Sequence, residues 1–463
     1  MTQRTANHQL KKLIDESGMA YDAVARAVRA VASESGQLLG TNRSAVHHWI
    51  KGAEPSGLTP GYLAEVLSRR LGRWITREDL GLGSPASGED ESIGLTLDFD
   101  PIETLTAIGE ADVNRRRFLA ASAFSLAATA LPLETVQEAA ARSRTISGGA
   151  VAGHADVAAV RDMVKLFMDM DEKHGGAHGR SAFVQYLVTD IASLCRGRFA
   201  DEQVRAEALS VASAGAHLAG WKAYDSGEQG LAQRYYMQSL ALALARASGV
   251  PGQDGFVMRT MSQQGMKLHR AEHCLALAES GWAKAKGQVD AQVEALFAVT
   301  HAHALAKTGQ RQAALAGVDH AHTALAAGMR TGDEVPFWAL VWGPPAATVH
   351  SRSAKVFETL GDRGNSARSY ATAVASRPGA TYARIIALDL VAEAEQQAKQ
   401  GSIEQACTTW DRAIDTMAGV KSTRTLKAVR SLRSDLRPYR SRGVRVAAEL
   451  DERARRFLAA HPR

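Results

Sequence analysis

The sequence predicts an all-α protein, a helix-turn-helix head followed by an α-solenoid of helical hairpins. Three observations carry that expectation. A short, polar-faced helix with its own start and stop signals lies between Thr41 and Gly52. From about residue 155 onward, helical apolar periodicity is broken at intervals by single turn glycines. Composition agrees, since Ala is abundant, Arg far outnumbers Lys, and only 12 of 463 residues are Pro.

The head reads as four helices in order. Leu10, Leu13 and Ile14 line one face of a first helix that Gly18 ends. Tyr21, Val24, Ala27, Val28 and Val31 line a second, running to about Gly36. The third is the informative one. Thr41 or Asn42 can cap its start, Gly52 can supply the left-handed turn at its end, and Pro55 blocks continuation. Ala45, Val46, Trp49 and Ile50 fall on its inward face, leaving Asn42, Arg43, Ser44, His47, His48 and Lys51 outward. Such a polar, basic set suits base edges and phosphates. The competing reading is a capped surface helix with no special purpose. Pro60, Leu63, Ala64, Val66, Leu67 and Leu71 make a fourth helix, closing at Gly72. The connection from Ser33 to Thr41 is longer than the turn of the simplest helix-turn-helix.

With those residues in place, the segment from Thr41 to Leu82 resembles actinobacterial regulators that join a repressor-like (XRE-type) head to a tetratricopeptide-like body. Ile50 departs from the pattern, because the wider repressor class often has Glu there and uses it in an internal ion pair. The resemblance implies control of development or secondary metabolism. In related head-plus-repeat regulators the concave face of the body binds signalling peptides, so a peptide, small-molecule or protein effector is expected on the repeats.

At 463 residues the chain suits two or three domains. Its net charge of +6 permits nucleic-acid binding without demanding it. Cys195, Cys274 and Cys407 are scattered and odd in number, which fits neither a disulfide framework nor a zinc spacing and points to the reducing cytoplasm. The start of the chain is polar and does not read as a signal peptide. Asn114-Arg115-Arg116-Arg117-Phe118-Leu119 and the apolar run to Leu133 imitate a twin-arginine export signal. The run begins more than a hundred residues in, and at about 16 residues it is shorter than the roughly 20 that span a bilayer. We read residues 114–150 as a docking helix segment, and expect no membrane partner.

The expected organisation is a DNA-binding head at 1–82, an acidic flexible linker at 83–113, the docking segment at 114–150 and the repeat domain at 151–463. From Glu78 to Asn114 there is no Lys or Arg, while Glu89, Asp90, Glu91, Asp98, Asp100, Glu103, Glu110 and Asp112 accumulate. In the body a turn Gly precedes a helical Ala by five or six residues at Gly227/Ala232, Gly309/Ala314, Gly361/Ala367 and Gly401/Ala406, with Gly265/Ala271 a weaker case. This register resembles divergent tetratricopeptide repeats. Trp221, Tyr224, Tyr235 and Tyr236 are expected to fill gaps between helix pairs. The stretch Val335–Pro345 interrupts the rhythm and reads as a buried insertion in preference to a ligand-facing loop.

Signals of catalysis are weak. His269-Arg270-Ala271-Glu272-His273 matches a five-residue zinc-peptidase pattern, but in a chain with 15 His and no downstream acidic ligand it reads as structure. His174 and His178, with Asp169 and Asp171, could chelate a metal, although Gly175-Gly176 makes a loop the better reading. No phosphate-binding loop or nucleophile motif occurs, so no catalytic residue, cofactor or metal is expected. The series Lys421, Arg424, Lys427, Arg430, Arg433 and Arg437 winds around a helix beside an apolar stripe of Leu426, Val429, Leu432 and Leu436. It is a solvated face, or a site for an acidic ligand, a second nucleic-acid contact, or a dock for the linker. These readings converge on a cytoplasmic, homodimeric transcription regulator bound to a double-stranded DNA operator. The rival is an interaction scaffold whose head does not read DNA, and a metal hydrolase ranks third.

Overall fold

The computed structural model describes residues 5–34, 37–71, 73, 75–82, 93–95, 100–113, 151–245, 250–266, 271–332 and 334–461. The expected docking segment 114–150, with Arg115 and Arg116, and the first half of the His269–His273 pattern lie outside them. The described chain is all-α apart from one two-residue parallel pairing, Val151–Ala152 (β1) on Arg198–Phe199 (β2). It divides into two compact units, one of Met1–Val160 with Ser181–Ser248 and one of Arg161–Arg180 with Gly249–Arg463.

The head opens the first unit. Its helices are α1 (His8–Ser17), α2 (Tyr21–Glu34), α3 (Arg43–Ile50) and α4 (Thr59–Leu71). Asn7 caps α1 by accepting from the Leu10 N–H at 2.9 Å, and Gly18 closes it at φ 65°. One cluster of buried side chains, drawn wholly from residues 10–82, joins Leu10, Ile14, Val28, Val46, Trp49, Leu63, Leu67, Ile75 and Leu80. The head therefore has its own core.

In the rest of this unit, the 13-residue α5 (Pro101–Val113) occupies the last part of the span 83–113 expected as a flexible linker. Ile102, Leu105 and Ile108 are buried, so apolar periodicity overrode the acidic composition there. Gly109 lets α5 lie against Val188, where any Cβ would clash. Tyr235 donates to the Asp112 carboxylate at 3.0 Å, and Arg196 reaches Thr106 at 2.9 Å. Helix α6 (His154–His174) belongs to this unit only up to Val160, and after it come α7 (Arg180–Tyr186), a π turn at Leu187–Ile191 and α8 (Ala192–Arg196). The hairpin of α9 (Glu202–Asp225) and α10 (Gln229–Leu244) follows, and the Ser213 and Ser239 hydroxyls each donate to the other's carbonyl at 2.8 Å.

The second unit stacks helical hairpins: α11 (Gln253–Met266) with α12 (Ala271–Ala285), α13 (Ala291–Lys307) with α14 (Arg311–Thr331), α15 (Pro345–Thr359) with α16 (Arg363–Ala375), α17 (Ala383–Lys399) with α18 (Ile403–Thr416), and α19 (Thr423–Arg440) with α20 (Arg445–Ala460). The glycine register explains the turns. Gly227, Gly309, Gly361 and Gly401 all have φ between 80° and 91°. Each donates its N–H to the carbonyl three residues back, while the next residue donates to the carbonyl five back. That pair of hydrogen bonds ends one helix and starts the next with three residues between them, which forces an antiparallel pair. The spacing is a strict five: Ala232, Ala314 and Ala406 are fully buried, and in the Gly361 turn the buried place belongs to Ser366, not Ala367. Gly265 is no turn residue. It lies inside α11, where the Cys274 sulfur leaves no room for a Cβ. Arginines tie successive hairpins together: Arg311 donates to the Leu360 carbonyl at 3.0 Å and Arg363 to the Lys399 carbonyl at 2.6 Å, each satisfying a helix C-terminus.

The Val335–Pro345 insertion is buried at Trp338, Ala339 and Trp342 and half-buried at its other residues. Its 3-10 turn, Phe337–Trp342, packs Trp338 and Trp342 against Phe256 at ring separations of 5.5 and 4.8 Å, with Arg259 4.5 Å above the Trp342 ring. Cys195, Cys274 and Cys407 are buried free thiols, and burial pushes them up to about 12, about 12 and about 11.

Glu395 on α17 gives a pH signature. Burial pushes its carboxyl up to about 7 against the opposing effect of Lys399, with Asp435 and Glu358 adding to the rise. The unfolded chain releases this proton near the ordinary carboxylate value, so the stabilisation is complete below that value and is lost as pH rises toward 7. Glu395→Gln should therefore match wild type at pH 4 and melt later at pH 8. The gain should be ~1–2 kcal/mol, held down by the side chain's partial exposure. Circular-dichroism melts at the two pH values check this, and equal melts at pH 8 would contradict it.

Candidate nucleic-acid interface

The polar helix is built as the sequence implies. Asn42, not Thr41, is the cap: its side chain accepts from the Ala45 N–H at 2.9 Å in extended backbone. Thr41 is buried beneath it, and its carbonyl accepts from the Arg29 guanidinium of α2. At the other end Lys51 closes α3, Gly52 takes φ 89° and donates to the Trp49 carbonyl at 3.0 Å, and Ala53 donates to the His48 carbonyl at 2.9 Å. Both ends of this eight-residue helix are therefore satisfied, and its rotation is set by what it buries.

Val46, Trp49 and Ile50 are the buried residues, at 0 %, 7 % and 9 % exposure, with Ala45 partly covered beside them. Arg43, Ser44, His47, His48 and Lys51 are all exposed, as is Asn42 at the cap. The structure thus brings all six expected residues to one surface of the head. Of the six, Asn42 has its oxygen committed to capping, which leaves its amide N–H groups as donors. The His47 ring lies 6.2 Å from that of Tyr21 at the start of α2, and 6.5 Å from His48. Ile50 forms no ion pair. A buried ion pair of the head is found instead within α4, between Arg69 and Glu65 at 2.7 Å.

Three contributors carried no readable signal in the sequence. Arg29 reaches a partner twelve residues away, and Tyr21 meets His47 across two helices. Leu38, in the α2–α3 connection, is 95 % exposed, and nothing in its local pattern marks it. The candidate metal residues do not converge. Asp171 is engaged by Arg384, His174 and His178 face each other across a turn at 4.8 Å, and His273 is exposed. Among the described residues no three His, Cys, Asp or Glu side chains are grouped so as to hold a metal ion. No helix among them is long and apolar enough to cross a membrane.

Residues 10–83 match the family model of the SP15 N-terminal domain. The match begins at Leu10, the first residue of the head's core, and ends one residue past Leu82, the last. The similarity is confined to the head, and no repressor-type helix-turn-helix or tetratricopeptide family model matches. No curated protein matches the chain.

Proposed function

We propose that this chain is a DNA-binding transcription regulator whose α3 lies in the major groove and whose tetratricopeptide-like hairpins serve dimerisation and the binding of an effector or partner. The observation that supports it best is α3 itself. A helix fixed by two caps and a buried Trp presents Arg43, Ser44, His47, His48 and Lys51 on one exposed surface, with no carboxylate among them. In this reading Arg43 and His47 reach base edges, Asn42 and Ser44 donate to phosphates, and Lys51 neutralises the backbone. Leu38 adds an apolar side chain suited to a thymine methyl group. A single head offers few contacts, so specific affinity calls for two half-sites and a homodimer.

The test starts from a pool of randomised DNA duplexes selected on the full chain. One sequence class should be enriched. Arg43→Ala and His47→Ala should each weaken binding to it by ~1–3 kcal/mol with no change in melting temperature. If no class is enriched, the interaction-scaffold reading of the head replaces this one.

A further inference from the structure

The C-terminal hairpin carries a net positive charge larger than that of the whole chain. Residues 421–463 contain 13 Lys and Arg against four Asp and Glu, a net of +9 when the whole chain carries only +6. The structure shows how that charge is distributed. Asp451 pairs with Arg433 at 2.8 Å and with Arg440 at 2.7 Å. Glu449 holds Arg445 and Glu452 holds Arg455, while Arg453 is taken up by Asp411 and Asp415 of α18. The fourth carboxylate, Asp435, has Lys399 of α17 as its charged neighbour. Three of the four acids of the segment are therefore held in ion pairs.

The remaining cations include a row on the outward face of α19. Lys427, Arg430 and Arg437 are exposed and have no side-chain partner among the described residues. Helical spacing puts Ser431, Ser434 and Ser441 along the same face, all exposed. On the opposite face Val429, Leu432 and Leu436 are fully buried in the core shared with α17, α18 and α20, so the outward face is held rigidly. Ten residue steps separate Lys427 from Arg437, about 15 Å of helix.

We infer that this face of α19 is a second contact to double-stranded DNA, made to the phosphate backbone and independent of sequence. The inference rests on the DNA-binding reading proposed for the chain. Lys, Arg and Ser are among the residues that contact phosphates, and they line this face, with the exposed Asp435 to one side of it. The face carries no aromatic ring on which unpaired bases could stack, which disfavours single strands. It also lacks the aromatic or Met anchor of a protein interface. A duplex backbone is the partner whose chemistry remains.

The experiment measures the full chain on duplex DNA across a salt series, using the enriched duplex and a scrambled one. The variants are Lys427→Gln with Arg430→Gln and Arg437→Gln, and separately Arg43→Ala with His47→Ala. All five positions are exposed, and melting curves check that both variants are folded. The triple variant should lower the slope of log K against log salt by about 2–3 on both duplexes, because each phosphate contact contributes about 0.9. Its preference for the enriched duplex should persist. A slope unchanged in the triple variant while the head variant loses its preference would overturn the α19 contact alone. A reduced slope with preference untouched by the head variant would support α19 and overturn the head assignment. Failure of wild type to bind either duplex at low salt would overturn both. Tighter binding to single strands, or retention on polyglutamate that only the triple variant loses with its DNA slope unchanged, would assign the face to another partner and overturn the inference.

Discussion

Trp49→Ala should destabilise the head by ~3–5 kcal/mol, enough to unfold it while the second unit keeps its own transition. Trp49 is 7 % exposed and sits in a core made only of residues 10–82, so nothing outside that span is described as filling the space it leaves. The loss acts on function through orientation. Val46, Trp49 and Ile50 are the contacts that decide which way α3 is turned, and without them Arg43 and His47 lose their common direction. Trp49→Phe keeps most of the apolar volume and should cost far less. Limited proteolysis separates the outcomes: in the Ala variant, cleavage within residues 10–82 should rise sharply and cleavage within α13–α18 should not. An Ala variant with a protected head would mean that α3 is not seated through Trp49.

Local signals account for what the sequence revealed. Asn42, Gly52 and Pro55 sit within a few residues of the helix they delimit, and a helical repeat of apolar residues is visible over one or two turns. The same holds for the glycine turns, whose hydrogen bonds close over five residues. Features set at a distance were not legible. The last part of the head core, Ile75, Leu80 and Leu82, lies beyond the fourth helix and has no period of its own. Ser366 takes a place expected for Ala367 because its hydroxyl can donate to the Ala354 carbonyl at 2.9 Å across the hairpin. Acidic composition suggested a tether where α5 forms, since the carboxylates obscured the buried series Ile102, Leu105 and Ile108. The exposed polar surface of α3 was read residue by residue. Its support from Arg29 and Tyr21 was not, because neither contact follows a sequence spacing.

The second large effect is expected at Arg384, and it concerns how the chain is threaded. Residues 161–180 belong to the second unit although 181–248 belong to the first. Side chains and backbone both hold that excursion. Arg384 of α17, fully buried, donates to Asp171 at 2.9 Å and lies 3.4 Å from Glu172. Lys421 donates its N–H to the His174 carbonyl at 2.8 Å, and Gly175 at φ 89° passes so close to the Lys421 carbonyl that a Cβ would clash. Replacing Arg384 by Met keeps volume but leaves the Asp171 carboxylate buried without that charge partner, at a cost of ~3–5 kcal/mol to the second unit. Adding Asp171→Asn should restore a good part of the loss, because the buried charge that has lost Arg384, more than the missing bond, carries the penalty. Hydrogen exchange locates the effect. In Arg384→Met the amides of residues 165–180 should open first, while the Gly309 and Gly361 turns stay protected. A double variant no more stable than Arg384→Met would show that the Asp171 charge is not what makes the substitution costly. The threading would then rest on the His174–Lys421 backbone bond and the close approach at Gly175.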